Sequence, residues 1–248
     1  MRILVSNDDG IYSPGIRALA ELASELGEVR IVAPDSEMSS VAHAITATRP
    51  MRVQRTQIGD FDAYRVNGTP ADCVALGAHA WERVDLVLSG INLGLNVGNG
   101  MWHSGTLAAA RQAALLGIRG IALSAPAPDE GTADYDALAP YVRRVLAVLA
   151  HHHALELVNV NFPVAPRGIQ WTRQSLRHYD GRVVPDRAPY GRELFWFAAL
   201  PVETTEEGTD RWAVEHDLVS VTPLRRDITD HAALRRELEG DAVAQERP

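Results

Sequence analysis

The sequence predicts an α/β protein organised around a doubly wound, mostly parallel sheet, with β-hairpins appended at the C-terminal side. Three observations carry this prediction. Short apolar runs alternate with amphipathic helical stretches through the first 160 residues. The loops that follow the apolar runs concentrate Asp, Asn, Ser and Gly. After about residue 165 the pattern changes to brief β-like runs separated by turn residues.

The elements follow in order. Residues 2–6 read as a buried strand. Pro14 to Leu26 reads as a helix, with Pro14 near its first turn, Ile16, Leu19, Leu22, Ala23 and Leu26 on one face, and Gly27 ending it. Val29 to Ala33 is the next strand, which completes a βαβ opening. Further strands are expected at Asp85 to Leu88, Ile118 to Ser124 and Leu155 to Val160. Helices are expected at Thr106 to Leu116, stopped by Gly117, and at Tyr135 to Ala150. This spacing is that of a Rossmann-like sheet over about residues 1–165. Residues 166–248 supply hairpin runs at Ile169 to Arg173, Arg182 to Val184, Glu193 to Phe197 and Leu218 to Thr222, then a short helix over His231 to Leu238, with frayed residues after Gly240. One domain spanning 1–248 is the expectation, since 248 residues with 46% hydrophobic content bury a substantial core.

Composition excludes several chemistries. All 24 basic residues are arginine, so a P-loop lysine, a kinase lysine, a pyridoxal Schiff base and a Ser-Lys dyad are ruled out. The single cysteine, Cys73, rules out an intramolecular disulfide and cysteine-rich zinc sites. The net charge of −8 is uneven: residues 1–202 carry 18 arginines against 20 acids, and residues 203–248 carry 6 against 12. No clustered basic face points to a stable nucleic-acid complex. The N-terminus lacks the basic region and long apolar stretch of a secretion signal, and Arg119 interrupts the most apolar segment well short of the ~20 residues of a membrane span. A cytoplasmic protein with no membrane partner is expected.

Ligands of doubly wound sheets sit beyond the carboxyl ends of strands, so the loops there bear the chemistry. Asn7-Asp8-Asp9-Gly10 puts two carboxylates at the tip of the first strand. A turn at Gly10 can converge them on a hard cation such as Mg²⁺ or Mn²⁺; the competing role is an Asx-turn capping the helix at Pro14. Pro34 to Ser40 is a hydroxyl- and acid-rich loop. Ser89 to Gly100, followed by His103-Ser104-Gly105-Thr106 at a helix start, interleaves glycines with Asn and Ser, an arrangement that offers backbone N–H groups and a helix dipole to an anion.

Taken together, Asn-Asp-Asp-Gly-Ile-Tyr-Ser-Pro-Gly at 7–15, Ala-Pro-Asp with Ser39, Asn67 to Cys73, and Ser-Gly-Ile-Asn-x-Gly-x-Asn-x-Gly leading to Ser-Gly-Thr resemble the SurE survival-protein family. So do Val158 to Asn161, Thr209-Asp210 and Val219 to Leu224. The resemblance implies a metal-dependent 5'-nucleotidase that hydrolyses nucleoside monophosphates. It implies Asp8, Asp9, Ser39 and Asn92 as metal ligands, and Asp8, Asp9 and Asn96 as catalytic residues. Asn96, Ser104, Gly105 and Thr106 would contact the phosphate. Apart from the resemblance, the position of Trp102 inside this loop makes it the residue expected to stack on the base. The resemblance also implies a homodimer or homotetramer with exchanged C-terminal arms. Two positions depart from the family pattern: Ser40 stands where glycine is usual, and Met101-Trp102-His103 replaces a more common aromatic.

Candidates for proton transfer are His43, His103, His231 and Asp227; the run His151-His152-His153 reads as a helix end. Other functions are weighed against this one. An aspartyl-phosphate phosphatase and a signalling receiver domain both call for a lysine that the chain lacks. A broad-specificity acid phosphatase or polyphosphatase and a non-catalytic nucleotide binder remain alternatives.

Overall fold

The computed structural model describes residues 1–128, 133–176, 179–201 and 204–245. A nine-stranded sheet forms its centre. In chain order the first half contributes β1 (Arg2–Ser6), α1 (Pro14–Ser24), β2 (Glu28–Pro34), β3 (Val53–Ile58), β4 (Phe61–Val66), α2 (Pro70–Ala80) and β5 (Leu86–Leu93). A 3₁₀ turn at Gly98–Trp102 follows, then α3 (Gly105–Leu115), β6 (Arg119–Ala125), α4 (Tyr135–Leu149) and β7 (Leu157–Asn161). The remainder is β8 (Gly168–Trp171), β9 (Tyr179–Arg187), β10 (Glu193–Pro201), α5 (Asp210–Glu215), β11 (Leu218–Leu224) and α6 (His231–Gln245).

The sheet runs β3-β4-β2-β1-β5-β6-β7-β11-β8. β4, β2, β1, β5, β6 and β7 are parallel neighbours, whereas β3 pairs antiparallel with β4 and β11 antiparallel with β7. Alternation along each strand sorts side chains between the two faces. Ile3 and Val5, Ile31 and Ala33, Leu86 and Leu88, and Val158 and Val160 pack in one cluster with α1 and α4. Leu4, Val32 and Val87 face the opposite way, against residues of α2 and α3. On that second face the same alternation carries polar residues near the strand ends: Ser6, Ser124, Asn159 and Asn161, all fully buried. Buried polar groups at the carboxyl edge of an otherwise apolar sheet have a cost unless they are hydrogen-bonded, which directs attention to that edge.

The predicted strands and helices are present with ends shifted by a few residues, except where loops were misjudged. β5 continues to Leu93 through a register shift between Ser89 and Asn92, so Asn92 lies at a strand end rather than in a loop. Gly90 permits this continuation, because a Cβ there would meet the Leu123 carbonyl oxygen at 2.2 Å. β8 and β11 join the main sheet, and the appended hairpin is β9–β10 alone. α6 runs on past Leu238 to Gln245; residues 246–248 lie outside the described residues. β3, β4, α2 and α5 were not anticipated. β3 is mostly polar and exposed, as suits an edge strand, so its apolar alternation is weak. α2 did carry a signal: Thr69 and Asp72 form a reciprocal capping box that brackets Pro70, the first residue of the helix.

Candidate active site

Because β1, β2 and β5 are parallel neighbours, their C-terminal loops open on one edge of the sheet and meet there. A cleft of about 530 Å³ lies at this edge, with walls that include Asp8, Ser39, Asn92, Asn96, His103 and Ser104. Residues from all three predicted loops therefore share one cavity.

Asp8 is almost fully buried at the tip of β1. Its Oδ1 accepts a 2.6 Å hydrogen bond from the Thr106 hydroxyl, and its carbonyl accepts one from the Met38 N–H, which ties the β1 and β2 loops together. Gly105 makes the approach to α3 possible, since a Cβ there would stand 2.8 Å from Asp8 Oδ2. Burial pushes the Asp8 carboxyl above its ordinary range, against the Thr106 hydroxyl and the N–H groups of Thr106 and Gly105, which favour the charged form.

Asp9 accepts a hydrogen bond from the Leu93 N–H at 3.2 Å. Its pKa is pushed up to about 6, first by burial and then by the charge of Asp8. Neither carboxylate is ion-paired with an arginine among the described residues. Nor does either cap α1: Ser13 is the N-cap, and the turn is held by Asn7, whose Nδ2 donates to Gly10 O and Ser13 Oγ. That disposes of the capping role for Asp8 and Asp9 and leaves two close carboxylates in want of a cation.

The other candidate ligands present oxygen. Asn92 Nδ2 donates to Gly94 O at 2.7 Å, which fixes the amide and leaves Oδ1 as its open atom. The Ser39 hydroxyl donates to Glu37 Oε1 and lines the cleft, its lone pairs uncommitted among the described residues. The neighbouring departure, Ser40, has φ +59°, the left-handed region that costs a non-glycine residue about 1–2 kcal/mol. Among the described residues no group of three or more His, Cys, Asp or Glu is placed to hold a metal, so the set here is two carboxylates, an amide and a hydroxyl. Such hard oxygen donors suit Mg²⁺ or Mn²⁺.

Asn96 sits at the cleft floor in a buried network. Its Nδ2 donates to Thr106 Oγ1 at 3.3 Å and Ser124 Oγ at 2.9 Å; its N–H donates to Asn161 Oδ1, and its carbonyl accepts from Asn159 and Asn161. The sheet-edge residues Ser124, Asn159 and Asn161 thus find their partners in the loop that crosses above them. Ser104 caps α3 by accepting from the Leu107 N–H and lines the cleft, while the Thr106 hydroxyl is committed to Asp8 and Asn96.

Several predicted residues fall elsewhere. Trp102 does not form part of the cleft lining; its half-exposed ring lies against the Arg111 guanidinium, 5.8 Å away. His43 Nε2 is hydrogen-bonded to Gln112 Oε1, and His231 pairs with Asp227 at 2.7 Å on exposed α6. Of the proton-transfer candidates, only His103 lines the cleft. The lining also includes Phe197 from β10, which nothing in the sequence pattern singled out. Tyr135 was likewise read only as a helix start. Its buried hydroxyl has no hydrogen-bond partner among the described residues, and burial together with the Asp9 charge pushes its pKa up to about 12.

The model of the family Survival protein SurE matches residues 3–181 of this chain. The chain belongs to the SurE family. The 5'-nucleotidase SurE 1 of Thermus thermophilus is 48% identical over 251 residues, covering 98% of this chain and all of the relative. The 5'-nucleotidase SurE of Deinococcus radiodurans is 44% identical over 92% of this chain and 88% of its own length. Among solved structures, the crystal structure of the SurE protein from Aquifex aeolicus superposes with a TM-score of 0.82 at 39% identity, covering 95% of this chain and 98% of the other. The α/β architecture with its mostly parallel sheet is thus that of SurE, and the cleft occupies the carboxyl edge of that sheet.

Proposed function

We infer that this SurE-family chain is a divalent-metal-dependent 5'-nucleotidase that hydrolyses nucleoside 5'-monophosphates to nucleoside and phosphate. The observation that carries the inference is the meeting of Asp8, Asn92 and Ser39 in one cleft beside the N-terminus of α3, with Asp9 next to them, held by the N–H of the cleft residue Leu93 and within reach of the Asp8 charge. The residues fit a bound cation: buried Asp8 and half-buried Asp9 repel each other, and among the described residues the Asn92 Oδ1 and the Ser39 lone pairs are uncommitted and no arginine neutralises the carboxylates.

Asp8, Asp9, Ser39 and Asn92 would hold Mg²⁺ or Mn²⁺. Bound there, the metal supplies positive charge to offset the charge of the phosphoryl oxygens. The chain's own groups do the rest. The start of α3 at Ser104, Gly105 and Thr106 presents N–H donors and the positive end of the helix dipole to the phosphate. Asn96 is held rigidly by the β7 asparagines and fixes Asp8 through Thr106, so the site is organised before substrate arrives. Water adds to phosphorus as the ester P–O bond breaks; His103, on the cleft wall, delivers a proton to the leaving 5'-oxygen, and the proton given up by the water returns to His103 through solvent. Phe197 gives the cleft an aromatic wall for the nucleoside.

Residues 1–248 act as one domain in this scheme, working in the cytoplasm. The β9–β10 hairpin is an arm exchanged between subunits of a dimer or tetramer. It pairs with no other strand among the described residues, and it exposes Val183, Phe195, Trp196 and Phe197. A two-stranded ribbon is marginal without packing partners.

A panel of nucleoside 5'- and 3'-monophosphates, p-nitrophenyl phosphate and polyphosphate, assayed with Mg²⁺, Mn²⁺ or chelator, tests the assignment. Metal-dependent release of phosphate from nucleoside 5'-monophosphates is expected, and its absence with every metal overturns the assignment. Light scattering tests the arm: a 27.0 kDa particle at micromolar concentration refutes exchange.

A further inference from the structure

Behind the cleft, one buried carboxylate grips the loop that forms its floor. Asp210, fully buried in the first turn of α5, accepts three backbone N–H groups: Gly98 on Oδ2 at 2.9 Å, and Ser175 and Arg211 on Oδ1 at 2.9 and 2.8 Å. Gly98 is held on its other side as well, because its carbonyl accepts from Gln174 Nε2 at 2.9 Å. Both polar groups of this residue are therefore committed to the 174–210 side of the molecule. Gly98 has φ +55° and stands between Asn96 and Gly100, which line the cleft.

We propose that Asp210 is a positioning residue for phosphate binding. It fixes the Gly98 turn, and with it the loop from Asn96 to Ser104, and it ties that turn to the segment from which the β9–β10 hairpin departs. The proposal rests on the phosphomonoesterase reading of the cleft. On the sheet side the loop is pinned at Asn96 by Asn159 and Asn161; two residues later it is pinned at Gly98 by Asp210 and Gln174. The second anchor is continuous with the arm. Ser175 lies four residues before β9, and Arg173 pairs with Thr209 and also accepts the Asp210 N–H on its carbonyl.

The chemistry demands a carboxylate. Three N–H donors converge on the two oxygens, and a carboxylate is acceptor-only on both. An amide in the same place must turn its own N–H₂ toward either Gly98 or the Ser175–Arg211 pair, donor against donor. Charge-assisted bonds of this kind are about twice as strong as neutral ones, which makes the anchor stiff.

The test uses the full-length Mn²⁺-loaded protein and two variants, Asp210→Asn and Gln174→Met, the second of which leaves the buried carboxylate untouched. Inorganic phosphate and adenosine are titrated separately by calorimetry, and kcat and KM are measured with AMP. Asp210→Asn is expected to weaken phosphate binding about tenfold, the effect of one lost charge-assisted hydrogen bond, and to leave adenosine binding unchanged. Gln174→Met should show the same selectivity at about threefold. Unchanged phosphate affinity in the folded variants overturns the proposal. So does a parallel weakening of phosphate and adenosine, which marks a merely structural role. Should Asp210→Asn fail to fold, Gln174→Met decides by the same criteria. A wild-type protein that hydrolyses no nucleotide overturns the phosphomonoesterase reading and this proposal together, whereas an active wild type with unaltered variants overturns only the role of Asp210.

Discussion

The Thr106 hydroxyl donates a 2.6 Å hydrogen bond to Asp8 Oδ1 across a sequence separation of 98 residues, which joins the start of α3 to the tip of β1. The same hydroxyl oxygen accepts from Asn96, so one side chain sets the direction of a candidate metal ligand and of the cleft floor at once. Replacing Thr106 with valine keeps the shape and removes both roles. A hydrogen bond to a charged group contributes about 1.5–3 kcal/mol, so Thr106→Val should lower the melting temperature by several degrees in calorimetry. It should also weaken Mn²⁺ binding about tenfold in titration, because Asp8 is freed to rotate. Unchanged metal affinity would show that Asp8 is oriented by other groups.

Asp9→Asn is expected to have opposite effects on activity and stability. Turnover with any metal should vanish, since an amide is a poor ligand in a site built for two carboxylates. The metal-free variant should nevertheless melt above the metal-free wild type at pH 7 to 8, because burial and the Asp8 charge both disfavour an ionised Asp9. Wild-type activity with Mn²⁺ would remove Asp9 from the site.

The pH dependence follows from the same shift. The folded chain retains the Asp9 proton up to about pH 6, while the unfolded chain releases it near 3.8. Between those values the folded state binds more protons, so this group's contribution to stability falls as pH rises from about 4 through 6, then levels. Asp8, also raised, acts in the same direction. The difference in melting temperature between metal-free wild type and Asp9→Asn cancels the carboxylates outside the Asp8–Asp9 pair; it should be near zero at pH 4 and widen up to pH 7. A difference independent of pH contradicts the assignment.

Gly105→Ala separates helix propensity from fit. In an exposed helix, alanine is favoured over glycine by up to about 1 kcal/mol. Here the new methyl group would stand 2.8 Å from Asp8 Cβ and Oδ2, so Asp8 must move. Lower stability is expected in spite of the better helix former, with loss of most metal-dependent activity. A stabilised, fully active variant would mean that α3 does not approach Asp8 this closely.

Much of this was legible in advance, for identifiable reasons. β1, α1, β2, β6, α4 and β7 show their periodicity because each buries an apolar face. The three loops carrying Asp8, Ser39 and Asn96 stood out because polar and glycine-rich stretches directly after apolar runs are unusual. β3 was missed because an exposed edge strand needs little apolar alternation, and β4, paired on both sides, because its run Phe61–Val66 is interrupted by Asp62 and Arg65. The placement of Trp102 could not be foreseen either: both faces of a short 3₁₀ turn are plausible, and Arg111, on the first turns of α3, provides the ring with a partner. His43, His103 and His231 looked equivalent in sequence, and only the packed chain puts His103 alone of the three in the cleft wall.

The sequence by itself determined the fold class, the hard oxygen donors and the exclusion of lysine chemistry, intramolecular disulfides and cysteine-rich zinc sites, because these depend on residue type and local spacing. Tertiary structure decided which oxygens face one another. Thr106 meets Asp8, Asn161 meets Asn96 and Asp210 meets Gly98 over separations of 98, 65 and 112 residues. Such pairings are set by strand order and by the need to satisfy buried polar groups, and neither is encoded in any short stretch of the chain.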